Sequence, residues 1–135
     1  MLKVIFGSKG EGKTKRIIEM ANSGVESAKG NTIFIDDDAR YMFDIKHQIR
    51  FIDASEYDID SPKMFYGFLC GLVAQDYDLE KIYIDGFLKI VRYELADLQE
   101  YFEHVEKMAD KFSLEVVISV SGNTIPDFIK KYVLK

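Results

Sequence analysis

Short, almost unbroken apolar runs recur along the chain, and each stops at glycine, serine or an aspartate. Residues 2–6 stop at Gly7, 32–35 at Asp36, 49–52 at Asp53, 81–84 at Asp85, and 114–120 at Ser121. A strand with one wet face alternates polar and apolar residues, whereas a strand apolar throughout is covered on both faces. Helical patterns lie between these runs. Residues 13–20 read as a helix stopped by Asn22-Ser23-Gly24, and residues 39–47 as a short one. Ser61 caps a helix with Pro62 at its first position, running to about Gln75. Leu88, Val91, Leu95, Leu98, Phe102, Val105 and Phe112 form one apolar stripe backed by Glu94, Asp97, Glu100, Glu103 and Glu106, which predicts a single long helix over a sheet. Residues 121–123 turn the chain. Residues 125–134 then read as a closing helix, with a last strand at 132–134 as the alternative for its end. Strand–helix repeats of this kind predict an α/β fold: a three-layer α/β/α sandwich around an about five-stranded, mainly parallel sheet. Ligands of such sheets sit beyond the carboxyl ends of the strands, where the polar residues collect here.

Composition limits the rest. With 135 residues there is room for one domain, residues 1–135. Ten Phe and eight Tyr supply ample area for its core, which excludes a disordered chain. Net charge is −5, from 23 acids and 18 bases, so nucleic acid is not the expected partner. The single cysteine, Cys70, lies in an apolar run and cannot form an intrachain disulfide, which suits a reducing cytoplasm. With His47 and His104 as the only histidines, a zinc site is not expected. The most apolar stretch, residues 65–74, is half the ~20 residues that a membrane span needs, and the first apolar run is too short for a leader core.

Gly7-Ser8-Lys9-Gly10-Glu11-Gly12-Lys13-Thr14 satisfies G-x-x-x-x-G-K-[ST] between the first strand and first helix. Glycines let such a loop curl with its amides turned inward. The helix that follows presents free N–H groups and the positive end of its dipole to an anion. Lys13 is placed to reach β- and γ-phosphates, and the Thr14 hydroxyl to ligate Mg²⁺.

This block resembles the Walker A motif of the P-loop NTPase superfamily, and residues 81–85, an apolar strand ending in Asp85, resemble its Walker B motif. The resemblance implies that Asp85 acts on the Mg²⁺ side together with Thr14. It also implies the RecA-like, additional-strand branch, in which the strand after Walker B, here 114–120, is inserted beside the P-loop strand. Ser121 or Asn123 would then be the γ-phosphate sensor, and Asp38, two positions after the strand-ending Asp36, would orient the attacking water. Asp38 departs from the usual glutamate, and Gly86 stands where many such ATPases carry glutamate after the Walker B aspartate. The likeness covers the core only; 135 residues leave no room for the DNA-binding loops and flanking domains of recombinases.

The guanine motif N/T-K-x-D is missing, which favours ATP over GTP. The expectation is a Mg²⁺- and ATP-binding domain, with Gly7, Ser8, Lys9, Gly10, Glu11, Gly12, Lys13 and Thr14 around the phosphates, and Lys13, Asp38 and Ser121 in catalysis. A slow ATPase whose nucleotide state controls a protein partner or self-association is the first reading. A non-hydrolysing nucleotide-binding module and a small phosphotransferase, with its acceptor near Asp36, Asp37 and Arg40, are the alternatives.

Overall fold

The computed structural model describes residues 1–135. The elements are β1 (Leu2–Gly7), α1 (Lys13–Ser27), β2 (Asn31–Asp36), β3 (Arg50–Asp53), α2 (Pro62–Gln75), β4 (Leu79–Ile84), α3 (Phe87–Val91), α4 (Gln99–Lys111) and β5 (Glu115–Ser121), with single 3-10 turns at Met42–Asp44, Ala54–Tyr57, Leu95–Asp97 and Asp127–Tyr132. The five strands form one sheet in the order β1-β5-β4-β2-β3, and every pairing is parallel. β5 therefore separates β1 from β4.

Side chains leave each strand alternately to the two faces, and both faces are dry. Val4, Ile33, Ile35, Ile82, Ile84, Val116 and Ile118 join α2, α3 and α4 in the larger core. Ile5, Phe34, Tyr83 and Val117 join Ile17 and Ala21 of α1 in the smaller one. This double burial is why the strands read as continuous apolar runs. Connections that move toward β3 (β1 to β2, β2 to β3) pack on the α1 face; those that return toward β1 (β3 to β4, β4 to β5) pack on the other. One hand for all crossovers requires that division. The result is an α/β domain with helices on both faces of a parallel sheet. No helix is long and apolar enough to cross a membrane.

Several expected elements differ. α1 does not stop at Asn22-Ser23-Gly24 but runs to Ser27. Asn22 and Gly24 dock the helix instead. Asn22 donates to the Asp44 carbonyl (2.9 Å) and accepts from the Lys46 amide (3.0 Å). A Cβ on Gly24 would stand 2.8 Å from the Tyr83 hydroxyl. Residues 39–47 hold only the turn Met42–Asp44 rather than a helix, because Asn22 takes backbone groups that a helix would pair internally. The long helix is two: α3 ends where Arg92 enters the left-handed region (φ 52°) and its amide closes on the Leu88 carbonyl. The break keeps Phe87, Val91, Phe102 and Val105 all fully buried, so one stripe is served by two helices. The closing segment is the 3-10 turn Asp127–Tyr132, after which Val133 bridges Val4 in parallel and the Leu134 amide donates to the Val4 carbonyl (2.8 Å). α2 spans Pro62–Gln75 as expected, and the Ser61 hydroxyl accepts from the Met64 amide (3.1 Å).

Candidate functional site

Over the carboxyl ends of the strands lies a cavity of about 890 Å³, bounded by the loop after β1, the end of β2 with the residues after it, the end of β4 and the end of β5. The loop is built on backbone shape. Gly10 (φ 87°) and Gly12 (φ 82°) are left-handed with open space around them, so glycine is required there for its dihedral freedom. The Arg16 amide donates to the Gly12 carbonyl (3.1 Å), whereas the amides of Lys13, Thr14 and Lys15 ahead of it donate to no protein acceptor. Those three orphan donors and the dipole of a four-turn helix mark an anion position. Lys13 Nζ donates to the Ser8 carbonyl (2.8 Å), folding the ammonium over the loop. Glu11 accepts from the Ser8 amide (2.6 Å) and hydroxyl, which ties the tip and holds its carboxyl below the usual range.

Sheet order brings distant residues onto this loop. Thr14 Oγ1 donates to Asp85 Oδ2 (2.9 Å) across 71 positions of sequence. Ser119, on β5 between the two, donates its hydroxyl to Asp85 Oδ1. The Asp85 amide donates to the Ile35 carbonyl (2.9 Å), which fixes Asp85 beside the end of β2. Asp36 is only 2% exposed; Oδ1 accepts from the Asp37 amide (2.8 Å) and Oδ2 has no partner. Burial first, then the neighbouring Asp37 carboxyl and repulsion from Asp85, push its pKa up to about 9. Asp37 packs on Gly86, where an added Cβ would stand 2.2 Å from Asp37 Oδ1. Asp38 turns outward and accepts from the Arg40 amide (2.9 Å) and guanidinium (3.3 Å). Arg40 in turn lies 5.8 Å over the Tyr41 ring.

Lys9, Gly10, Gly12, Lys13 and Thr14 line the cavity, while Gly7, Ser8 and Glu11 shape the loop from outside the lining. Asp38, Asp85 and Ser121 line it too; Ser121 pairs in register with Gly7. Asn123, the other sensor candidate, does not. Ser119 escaped the sequence reading; its one signal was a lone hydroxyl inside the apolar run Val116–Val120. Cys70 and His104 stand well away, the thiol packed on the main core 3.7 Å from Met108 Sδ, the imidazole exposed.

The donor set is oxygen alone, which fits a hard divalent cation. Thr14 and Asp85 offer oxygens alone, Asp36 holds an orphan buried oxygen nearby, and no sulfur or imidazole lines the cavity. The carboxylates of Asp36, Asp37 and Asp38 also approach one another within 4.8 Å. In comparisons with known proteins, no family model matches the chain and no curated protein does.

Proposed function

We propose that this chain is a P-loop domain that binds a nucleoside triphosphate with Mg²⁺, ATP in preference to GTP, hydrolyses it slowly, and lets its nucleotide state control a partner or its own association. The observation that carries this reading is the Thr14–Asp85 hydrogen bond at the mouth of a glycine loop whose first helical amides lack acceptors. Anion cradle and cation ligands thus converge on one point.

The backbone from Gly7 to Gly12 and the amides of Lys13 to Lys15 hold the phosphate chain. Lys13 leaves the Ser8 carbonyl for the β- and γ-phosphates and neutralises charge that grows as the γ-phosphoryl departs. Thr14 and Asp85 would hold Mg²⁺, which when bound draws electron density from the phosphate oxygens. Ser119 keeps Asp85 oriented, and Ser121 senses the terminal phosphate in this reading. A carboxylate from the end of β2 orients water; Asp38 is the candidate from sequence.

Calorimetric titration with ATP, with and without Mg²⁺, tests binding; phosphate release over hours tests turnover. Lys13→Ala should weaken ATP binding at least tenfold with the fold intact by circular dichroism. Unchanged affinity would sink the assignment. Tight binding without turnover would favour the non-hydrolysing module. The phosphotransferase reading draws on the cavity running on past Asp38 to Arg40, Tyr41 and Ile18. It requires that ADP form only when an acceptor is added.

A further inference from the structure

Three carboxylates follow one another at the end of β2, and their surroundings separate their roles. Asp36 is buried against Asp85, with one oxygen taken by the Asp37 amide. Asp38 has both oxygens engaged by Arg40, at 2.9 and 3.3 Å, in a local turn. Asp37 is half-buried, lines the cavity beside the Asp36 carboxyl, within 4.8 Å of it, and accepts from no backbone amide and from no basic side chain. Its carboxyl instead lies against the backbone of Gly86, the residue after Asp85.

Gly86 makes that position available for two reasons. It is left-handed (φ 67°), and a Cβ there would stand 2.2 Å from Asp37 Oδ1, 2.8 Å from Cγ and 3.1 Å from Cβ. Any side chain at 86 would therefore displace the Asp37 carboxyl. The Asp37 side chain, just beyond β2, fills the space that a side chain following Asp85 would otherwise occupy.

We propose that Asp37, seated over Gly86, is the catalytic carboxylate that orients and deprotonates the attacking water, in place of Asp38. This rests on the reading of the site as one that hydrolyses a triphosphate. In the step, the water oxygen bonds to the γ-phosphorus and the bond from that phosphorus to the β,γ-bridging oxygen breaks. The water proton passes to the Asp37 carboxylate, giving ADP and inorganic phosphate, and leaves for solvent afterwards. Asp38 holds Arg40 at the rim.

The experiment compares wild type, Asp37→Asn, Asp38→Asn, Asp37→Gly and the double variant Asp37→Gly with Gly86→Asp, each assayed for Mg²⁺·ATP affinity by calorimetry and for phosphate release. A general base contributes ~10²–10⁴-fold, so Asp37→Asn should lower phosphate release by about 100-fold or more with affinity within about threefold. Asp38→Asn should lower release at least about tenfold less than Asp37→Asn does. The double variant, which moves the carboxylate across the Asp37–Gly86 contact and tolerates the left-handed backbone as aspartate can, should recover at least tenfold over Asp37→Gly. A merely structural role for Asp37 would not be rescued in this way. Wild-type turnover with Asp37→Asn unimpaired, an equal loss in Asp38→Asn, or no recovery in the double variant would overturn the assignment while leaving the triphosphate site intact. Failure of wild type to bind or turn over ATP would overturn the parent reading and this one with it.

Discussion

Asp36→Asn should make the ligand-free protein more stable, and more so in mild alkali than in mild acid. The carboxyl is almost wholly buried, one oxygen lacks a partner, and Asp85 lies close by. Its pKa rises from 3.8 in a free carboxyl to about 9 in the fold. Between those values the unfolded chain has lost the proton and the folded chain keeps it. The unfolded state then binds fewer protons, so stability falls as pH rises through that window and is greatest below the unfolded value. Each pH unit corresponds to ~1.4 kcal/mol, so pH 5 to pH 8 spans at most ~4 kcal/mol. Solvent at the open side of the cavity screens part of the charge, which reduces the expectation to ~1–2 kcal/mol. Asparagine has nearly the same shape and does not ionise, so the variant lacks this slope. Urea denaturation of both proteins at pH 5 and pH 8, without nucleotide or divalent cation, measures it. The gain from Asp36→Asn should be larger at pH 8 by about 1 kcal/mol or more. An equal gain at both pH values, or a loss at pH 8, would refute the picture of a buried acid strained by its neighbours. The same substitution should weaken Mg²⁺-dependent ATP binding, since the orphan oxygen is stabilised only when a cation or proton meets it.

Ser119→Ala should cost ~1–3 kcal/mol in urea melts, because it strips a buried carboxylate oxygen of its donor; a neutral effect would show that Asp85 is held by Thr14 alone. Asp85→Ala should abolish the Mg²⁺ dependence of ATP binding, and retention of the full response to EDTA would remove Asp85 from the metal side. Gly30→Ala should destabilise by ~2–4 kcal/mol, since a Cβ there would meet the Asp78 carbonyl oxygen at 2.2 Å, the acceptor of the Asn31 amide (2.7 Å), and backbone cannot rotate away; a melting temperature within a degree of wild type would contradict that close approach. Tyr83 is held up at about 12, by burial first and then by Glu115 and Glu80. Below its ordinary value of 10.0 both states are protonated; above it the unfolded chain ionises first. Stability should therefore decline from pH 10 toward 12, less steeply in Tyr83→Phe, as urea midpoints across that range would show.

The local pattern of residues was enough for the strands, the glycine loop and the capped start of α2, because each depends on neighbours in sequence: apolar runs bury on both faces, glycines adopt left-handed turns, and Ser61 reaches its own third amide. Asn22-Ser23-Gly24 and the stripe from Leu88 to Phe112 misled for the opposite reason. Their residues serve contacts that sequence does not display: the segment at Asp44 and Lys46, the Tyr83 hydroxyl, and a sheet end that takes two short helices where periodicity suggests one.

The candidate site divides in the same way. From the sequence alone came Lys13 and Thr14 at a helix start, and aspartates at the ends of β2 and β4. The resemblance already set β5 beside β1 and paired Thr14 with Asp85, and the sheet order agrees; only the folded sheet shows the contacts that follow, with Ser119 meeting Asp85, Ser121 in register with Gly7, and Thr14 bonded to an acid 71 residues away. Only the tertiary structure could distinguish three consecutive aspartates, burying Asp36, seating Asp37 on Gly86 and giving Asp38 to Arg40. A residue's type and its neighbours in the chain fix what chemistry it can offer; desolvation, hydrogen-bond partners and close approach, which decide whether it offers that chemistry, come from segments that meet only when the sheet has formed.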